Sequence, residues 1–170
     1  MFNTQYPIHN TQYSRSRKAR IGFTLMELLI VVAITTILAG VGASSYINQQ
    51  RAKLLNTTAQ EIVGYLRYAQ QKSIAQESGN QWGIHFENPA SGDDFYALYT
   101  GVSYTSPEET RYLHKGIEYE TPTAGNSIDV SFDKLTGTSA TSTTQSITIE
   151  STVTNSTTTI SISGQGLISY

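Results

Sequence analysis

One carboxylate stands where an apolar segment has no ordinary use for it. In Arg20-Ile21-Gly22-Phe23-Thr24-Leu25-Met26-Glu27-Leu28-Leu29-Ile30-Val31-Val32, Glu27 follows a basic flank, a glycine and a phenylalanine and opens an apolar run. An ionised side chain in hydrocarbon costs about 2.5–3.5 kcal/mol even on lenient insertion scales, so Glu27 has a task beyond anchoring. Other chemistry is thinly supported. His9, His85 and His114 lack ligand-like spacing and read as surface or strand histidines. Asp93 and Asp94 have no further acidic ligands beside them and read as a solvated loop rather than a calcium site. Gly40-Val41-Gly42-Ala43-Ser44-Ser45 has no strand before it, so its small residues serve helix packing rather than a dinucleotide. No Gly-x-Ser-x-Gly elbow occurs. No catalytic residue, metal site or cofactor is expected.

The elements that hold Glu27 follow from charge and apolar patterning. Residues 1–22 contain Arg15, Arg17, Lys18 and Arg20 and no acidic group, a flank that stays on the cytoplasmic side of a membrane. From Leu28 to Ile47 the chain carries no formal charge over about 20 residues, the length that crosses a bilayer as a helix. Gly40-Val41-Gly42-Ala43 offers a small-x-small sequence of the kind a secretory signal would need, the alternative to an uncut span. Without the first 22 residues, seven basic residues face thirteen acidic ones, a net charge of -6. That balance argues against a nucleic-acid partner, as does the absence of Lys and Arg after Lys134. There is no cysteine, hence no disulfide framework.

Between Gln49 and Glu77 no proline interrupts, and Leu55, Ala59, Ile62, Leu66 and Ala69 recur at spacings of four and three. Those positions form one helical stripe. With no breaker upstream, one helix is expected from about Phe23 to Glu77, stopped at Ser78-Gly79-Asn80. Beyond it the pattern turns to strands. Residues 82–86 and 95–99 read as a hairpin around a Pro-, Gly- and Asp-bearing loop, with further strands at 117–120 and 128–132. In the Ser/Thr-rich last 35 residues, Ile147, Ile149 and Val153 share a face answered by Ile160 and Ile162, with Asn155-Ser156 as the turn. The fold class is therefore α+β: a long N-terminal helix, membrane half plus amphipathic half, packed on an antiparallel β-sheet head.

The opening motif resembles the leader and assembly signal of type IV pilins and type II secretion pseudopilins, closely over residues 20 to about 47. The segment Ile62-Val63-Gly64-Tyr65-Leu66-Arg67-Tyr68-Ala69-Gln70-Gln71-Lys72-Ser73-Ile74-Ala75 is similar to the helix of GspH/FimT-like minor pilins and pseudopilins, and Ile160 to Ile168 fits that family's last strands. The resemblance implies that prepilin peptidase cuts between Gly22 and Phe23, that Phe23 becomes N-methylated, and that Glu27 pairs with an N-terminal amine during subunit assembly. A glycine before the cut lets the backbone enter the peptidase cleft closely, and a carboxylate buried among apolar helices is tolerable only when paired. Two departures stand out: no proline occurs near Ser44 and Ser45, where many pilins have one, and no cysteine pair closes a C-terminal loop.

The implied domains are a leader over 1–22, a transmembrane and assembly helix over 23–48, and a globular head over 49–170. The implied function is non-enzymatic: a minor pilin or H-type pseudopilin of a type IV pilus-like or type II secretion filament. A major pilin, or a membrane-anchored binding or enzymatic domain without processing, is the alternative. Its partners would be prepilin peptidase, other pilin or pseudopilin subunits and an inner-membrane assembly platform. It would sit single-pass in the inner membrane with the head outside the cytoplasm, then in a filament.

Overall fold

The computed structural model describes residues 22–170, apart from the side chains of 41–45 and 48. The chain divides into two units, Met1–Val41 and Gly42–Tyr170. Helix α1 spans Leu25–Ile74 and contributes to both.

In the second unit, α1 buries the expected stripe almost completely: Leu55 keeps 4% of its surface, and Ala59, Ile62, Leu66 and Ala69 keep none. Full burial of a Leu or Ile side chain stabilises by about 1.5–3 kcal/mol. Two alanines in the stripe let the sheets approach the helix backbone. The helix ends at Ile74, three residues before the expected Glu77, because Gln76 takes a left-handed backbone with φ 52°. A single 3₁₀ turn, Glu77–Gly79, follows. Ser73 ties this end to the first strand: its hydroxyl accepts from Trp82 N at 2.7 Å and donates to Trp82 O at 3.2 Å.

Eight strands follow: β1 Trp82–Asn88, β2 Phe95–Thr100, β3 Glu109–Tyr112, β4 Ile117–Thr121, β5 Asn126–Phe132, β6 Gln145–Ser151, β7 Thr157–Ile162 and β8 Ile168–Ser169. They form two antiparallel four-stranded sheets, ordered β3-β2-β1-β5 and β4-β6-β7-β8. The chain crosses to the second sheet at β4 and returns at β5. That crossing is pinned by polar side chains. Asn88 Nδ2 donates to Tyr119 O at 3.0 Å and to Pro122 O at 2.9 Å, and the Asp94 carboxylate accepts from Tyr119 N at 2.6 Å. Both sheets send aliphatic and aromatic residues to the helix stripe, among them Ile84, Phe86, Val130 and Phe132 from the first and Ile147, Ile149, Ile160 and Ile162 from the second.

The terminal hairpin forms with Ile147 opposite Ile160, but Val153 is not on its inner face. Ser151 N donates to Ser156 O and Asn155 N to Ser151 O, so the turn begins at Ser151 and stops the alternation two residues early. Ser151 is buried, and Val153 is 54% exposed. Strand β3 has no counterpart among the expected strands, since none of its residues is buried. Side chains on α1 hold it instead. Tyr65 OH donates to Glu109 Oε1 at 3.0 Å, and the Arg111 guanidinium lies 4.6 Å from the centre of the Tyr65 ring.

Leu66→Ala should lower stability by about 2–5 kcal/mol, while exposed Arg67→Ala, on the adjacent position, should change it by less than about 0.5 kcal/mol. Denaturant midpoints of the two variants measure the difference; equal midpoints would contradict a core centred on this stripe.

Candidate functional site

Gly22 and Phe23 lie just ahead of α1, and Phe23 is 81% exposed. The helix begins at Leu25 for a reason visible in its first turn. Thr24 stands at the N-cap: its Oγ1 accepts from the Glu27 backbone N–H at 3.2 Å, and its carbonyl accepts from Leu28 N at 3.2 Å. A threonine cap with glutamate three residues on is the composition of a capping box. Glu27 is the acidic residue of that first turn, where the helix dipole favours a negative charge. Thr24 was not singled out by sequence reasoning, although the Thr-x-x-Glu spacing at 24–27 is a signal that identifies it.

From Phe23 to Leu38 every large apolar side chain is exposed, and Glu27 sits among them, exposed as well. The two hydroxyls in this run are satisfied internally. Thr35 and Thr36 both donate to Val32 O, at 3.0 and 2.7 Å. Such back-bonding removes the need for water along the segment. Glu27 is therefore the one charged side chain in that exposed apolar stretch. Among the described residues no helix is long and apolar enough to cross a membrane. The expected span over 23–48 draws part of its length from 41–45, which lie outside the described side chains, as does the small-residue segment there. The leader residues 1–21 and His9 also lie outside the described residues.

In the head, the polar residues weighed for chemistry lie in different settings. His85 is on β1, as expected of a strand histidine, but it is buried. Its Nδ1 meets Asp129 Oδ1 at 2.5 Å and its Nε2 meets Glu87 Oε2 at 3.2 Å, while its ring stacks on Tyr104, 3.8 Å between centres. Both ring nitrogens are thus engaged by carboxylates, and neither is left to activate a nucleophile. The β2–β3 loop that carries Tyr104 roofs this outer face of the first sheet. Beside His85, a side chain at Gly83 would come within 2.7 Å of the Tyr99 ring and of Val130 O, so only glycine fits under Tyr99. Burial, with the Asp129 charge adding to it, pushes the Tyr99 hydroxyl up to about 12.

Asp94 departs from the solvated loop expected of it. It is buried at the sheet crossing, where it accepts from Tyr119 N. His114 is exposed at the start of the β3–β4 connection, with Nδ1 3.4 Å from Thr58 Oγ1 and 4.0 Å from Glu61 Oε2. Among the described residues no group of three or more His, Asp or Glu side chains is placed to hold a metal ion.

Burial raises the Asp94 carboxyl above its ordinary value, outweighing the Tyr119 hydrogen bond that pulls it down; the Glu118 and Asp93 charges add to the rise. With the folded value above the unfolded one, its stabilising contribution is full below the ordinary carboxylate range near about 3.9 and is lost as pH rises through the folded value. Asp94→Asn keeps an acceptor for Tyr119 and cannot ionise. Its stability relative to the parent should increase as pH is raised from about 3 and then level off; a difference independent of pH would contradict this account.

Residues 17–43 match the family described as the prokaryotic N-terminal methylation motif. Two crystal forms of the Pseudomonas aeruginosa type IV minor pilin FimU are similar in structure. One is 18% identical, covering 68% of this chain and 86% of that one at a TM-score of 0.51; the other is 19% identical, covering 68% and 90% at 0.49. At such identity the likeness is one of fold. No curated protein matches the chain. The motif thus accounts for residues 17–43, and the fold of the chain is like that of FimU.

Proposed function

We propose that this chain is the precursor of a structural subunit, a minor pilin or H-type pseudopilin, of a type IV pilus-like or type II secretion filament. The observation that carries this reading is the exposed apolar stretch from Phe23 to Leu38, with Glu27 as its single charge and the methylation motif laid over it. Prepilin peptidase cuts after Gly22, and the new amine of Phe23 is N-methylated. A cut there removes the flank that precedes the Thr24 cap and leaves Glu27 about one turn from the new terminus. In the assembled filament Glu27 pairs with the amine of a neighbouring subunit, and that pair sets the register of otherwise featureless apolar helices. An unpaired carboxylate in such a bundle costs several kcal/mol, so slipped registers are disfavoured.

The domains follow from this chemistry: a leader over 1–22, an anchor and assembly helix over 23–48 and a head over 49–170. Before assembly the subunit is held in the inner membrane by the helix, its head outside the cytoplasm. An assembly platform there moves it into the filament beside other pilin subunits. The minor-pilin role draws on the likeness to FimU, a type IV minor pilin. A net charge of -6 after residue 22 argues against nucleic acid as the head's ligand.

Intact-mass measurement on the membrane-extracted protein should find a chain beginning at N-methyl-Phe23; an uncut chain, or one cut near Ala43, would sink the proposal. Gly22→Val should accumulate as full-length precursor, because the added side chain blocks close approach of the backbone to the peptidase.

Glu27→Val should be processed normally and remain membrane-bound yet be missing from sheared filaments. Filament incorporation equal to the parent's would remove the pairing role.

A further inference from the structure

A polar cavity of about 340 Å³ lies between two segments: the end of β1 with the loop after it, residues 88–94, and the β3–β4 connection with the start of β4, residues 113–118. Backbone bonds fix its walls. Leu113 N donates to Asp94 O at 2.9 Å and ties one segment to the other. Ile117 N closes a turn onto His114 O at 2.9 Å, and Gly125 N holds Asn88 O at 2.7 Å. The space is therefore built into the fold, at a size that suits a small ligand.

Asp94 lines this cavity and keeps only 9% of its surface exposed. Its Oδ2 accepts from Tyr119 N at 2.6 Å, and among the described residues no hydrogen bond reaches Oδ1. Burial, and after it the charges of Glu118 and Asp93, hold the Asp94 carboxyl above its ordinary value, with no basic group offsetting them there. Asp93 and Glu118 line the same space. Of the two basic side chains at its edge, His114 lies near Thr58 and Glu61 of α1, and Lys115 is exposed. Three carboxylates against one lysine leave two negative charges uncompensated around the cavity. A buried carboxylate with an unused oxygen among like charges is costly until a cation pairs with it.

We propose that this cavity binds a small aliphatic diamine, one ammonium group seated against Asp94 Oδ1 and the other reaching Glu118. A single metal ion is the poorer occupant, because among the described residues no three His, Asp or Glu side chains converge as a metal requires. An ammonium group carries three donors, and its charge-assisted hydrogen bonds reach acceptors that stand apart. Two such groups on a short apolar chain match the two uncompensated charges and let both carboxylates stay ionised. The site belongs to the head alone, so it stands whether or not the chain is cut at Phe23 and assembled.

Titration calorimetry on the full-length chain in detergent, at neutral pH and physiological salt, tests this with putrescine as the probe. Binding should be saturable and one-to-one, and butanediol, which lacks the charges, should give no heat. Asp94→Asn keeps an acceptor for Tyr119 N, and Glu118→Gln changes an exposed residue of β4. Each should weaken putrescine binding about tenfold or more, the loss expected when one charge-assisted bond goes. Should Asp94→Asn fail to fold, Glu118→Gln decides alone. Heat that does not saturate, or that disappears as salt screens exposed charges, overturns the site. So does parental affinity in the folded variants. Calcium chloride that binds saturably and displaces putrescine also overturns it, in favour of a metal.

Discussion

The head depends on one dry seam, the strip of α1 from Leu55 to Ala69. Both sheets are four strands wide, and the chain passes between them three times, so neither sheet is completed without the other. What they share is the surface they need to cover. Each buries an aliphatic face, and the helix strip presents the matching apolar surface at a spacing fixed by the helical repeat. The polar bonds at the seam's margins work because water is excluded there. Asn88 and Asp94 pin the crossing strands, and Ser73 pins the end of the helix to β1, at positions where an unmade hydrogen bond would leave a buried group unsatisfied.

One helix thus carries two kinds of apolar surface. Over Leu55 to Ala69 the apolar residues keep to a single face and vanish into the core. From Phe23 to Leu38 they occupy the helix all round and remain exposed. A helix that is hydrophobic all round belongs in lipid or in the centre of a larger assembly. Glu27 suits the second setting once a partner amine is supplied, and the Thr24 cap and helix dipole give it a favourable place before then. The proposed membrane retention and the proposed filament packing would both draw on this one surface.

Much of this was legible in the residue pattern. The strip, the first hairpin, the strands at 117 and 128 and the pairing of Ile147 with Ile160 follow from periodicities of 3.6 and 2, which are set by local backbone geometry. The elements that escaped depend on what lies across from them. Strand β3 buries no residue of its own and exists through β2 and through Tyr65 of α1. His85 alternates as an outward-facing residue should, yet it is buried because the β2–β3 loop folds Tyr104 over it. Asp94 looked like a loop carboxylate, and the backbone N–H of Tyr119, 25 residues away, drew it inside. Val153 kept the right parity but fell beyond the point where the Ser151 turn takes over.

By itself the sequence determined the order of parts: a basic flank, a glycine before an aromatic residue, a single carboxylate in an apolar run, a striped helix and then alternating strands. These are local properties, carried by neighbours within one or two turns, and they carry the match of residues 17–43 to the N-terminal methylation motif. Tertiary structure alone decided which polar residues lie inside the head and which strand can exist without burying anything. Those outcomes depend on contacts between residues far apart in the chain, and no local periodicity records which distant backbone group or side chain will arrive to satisfy or displace them.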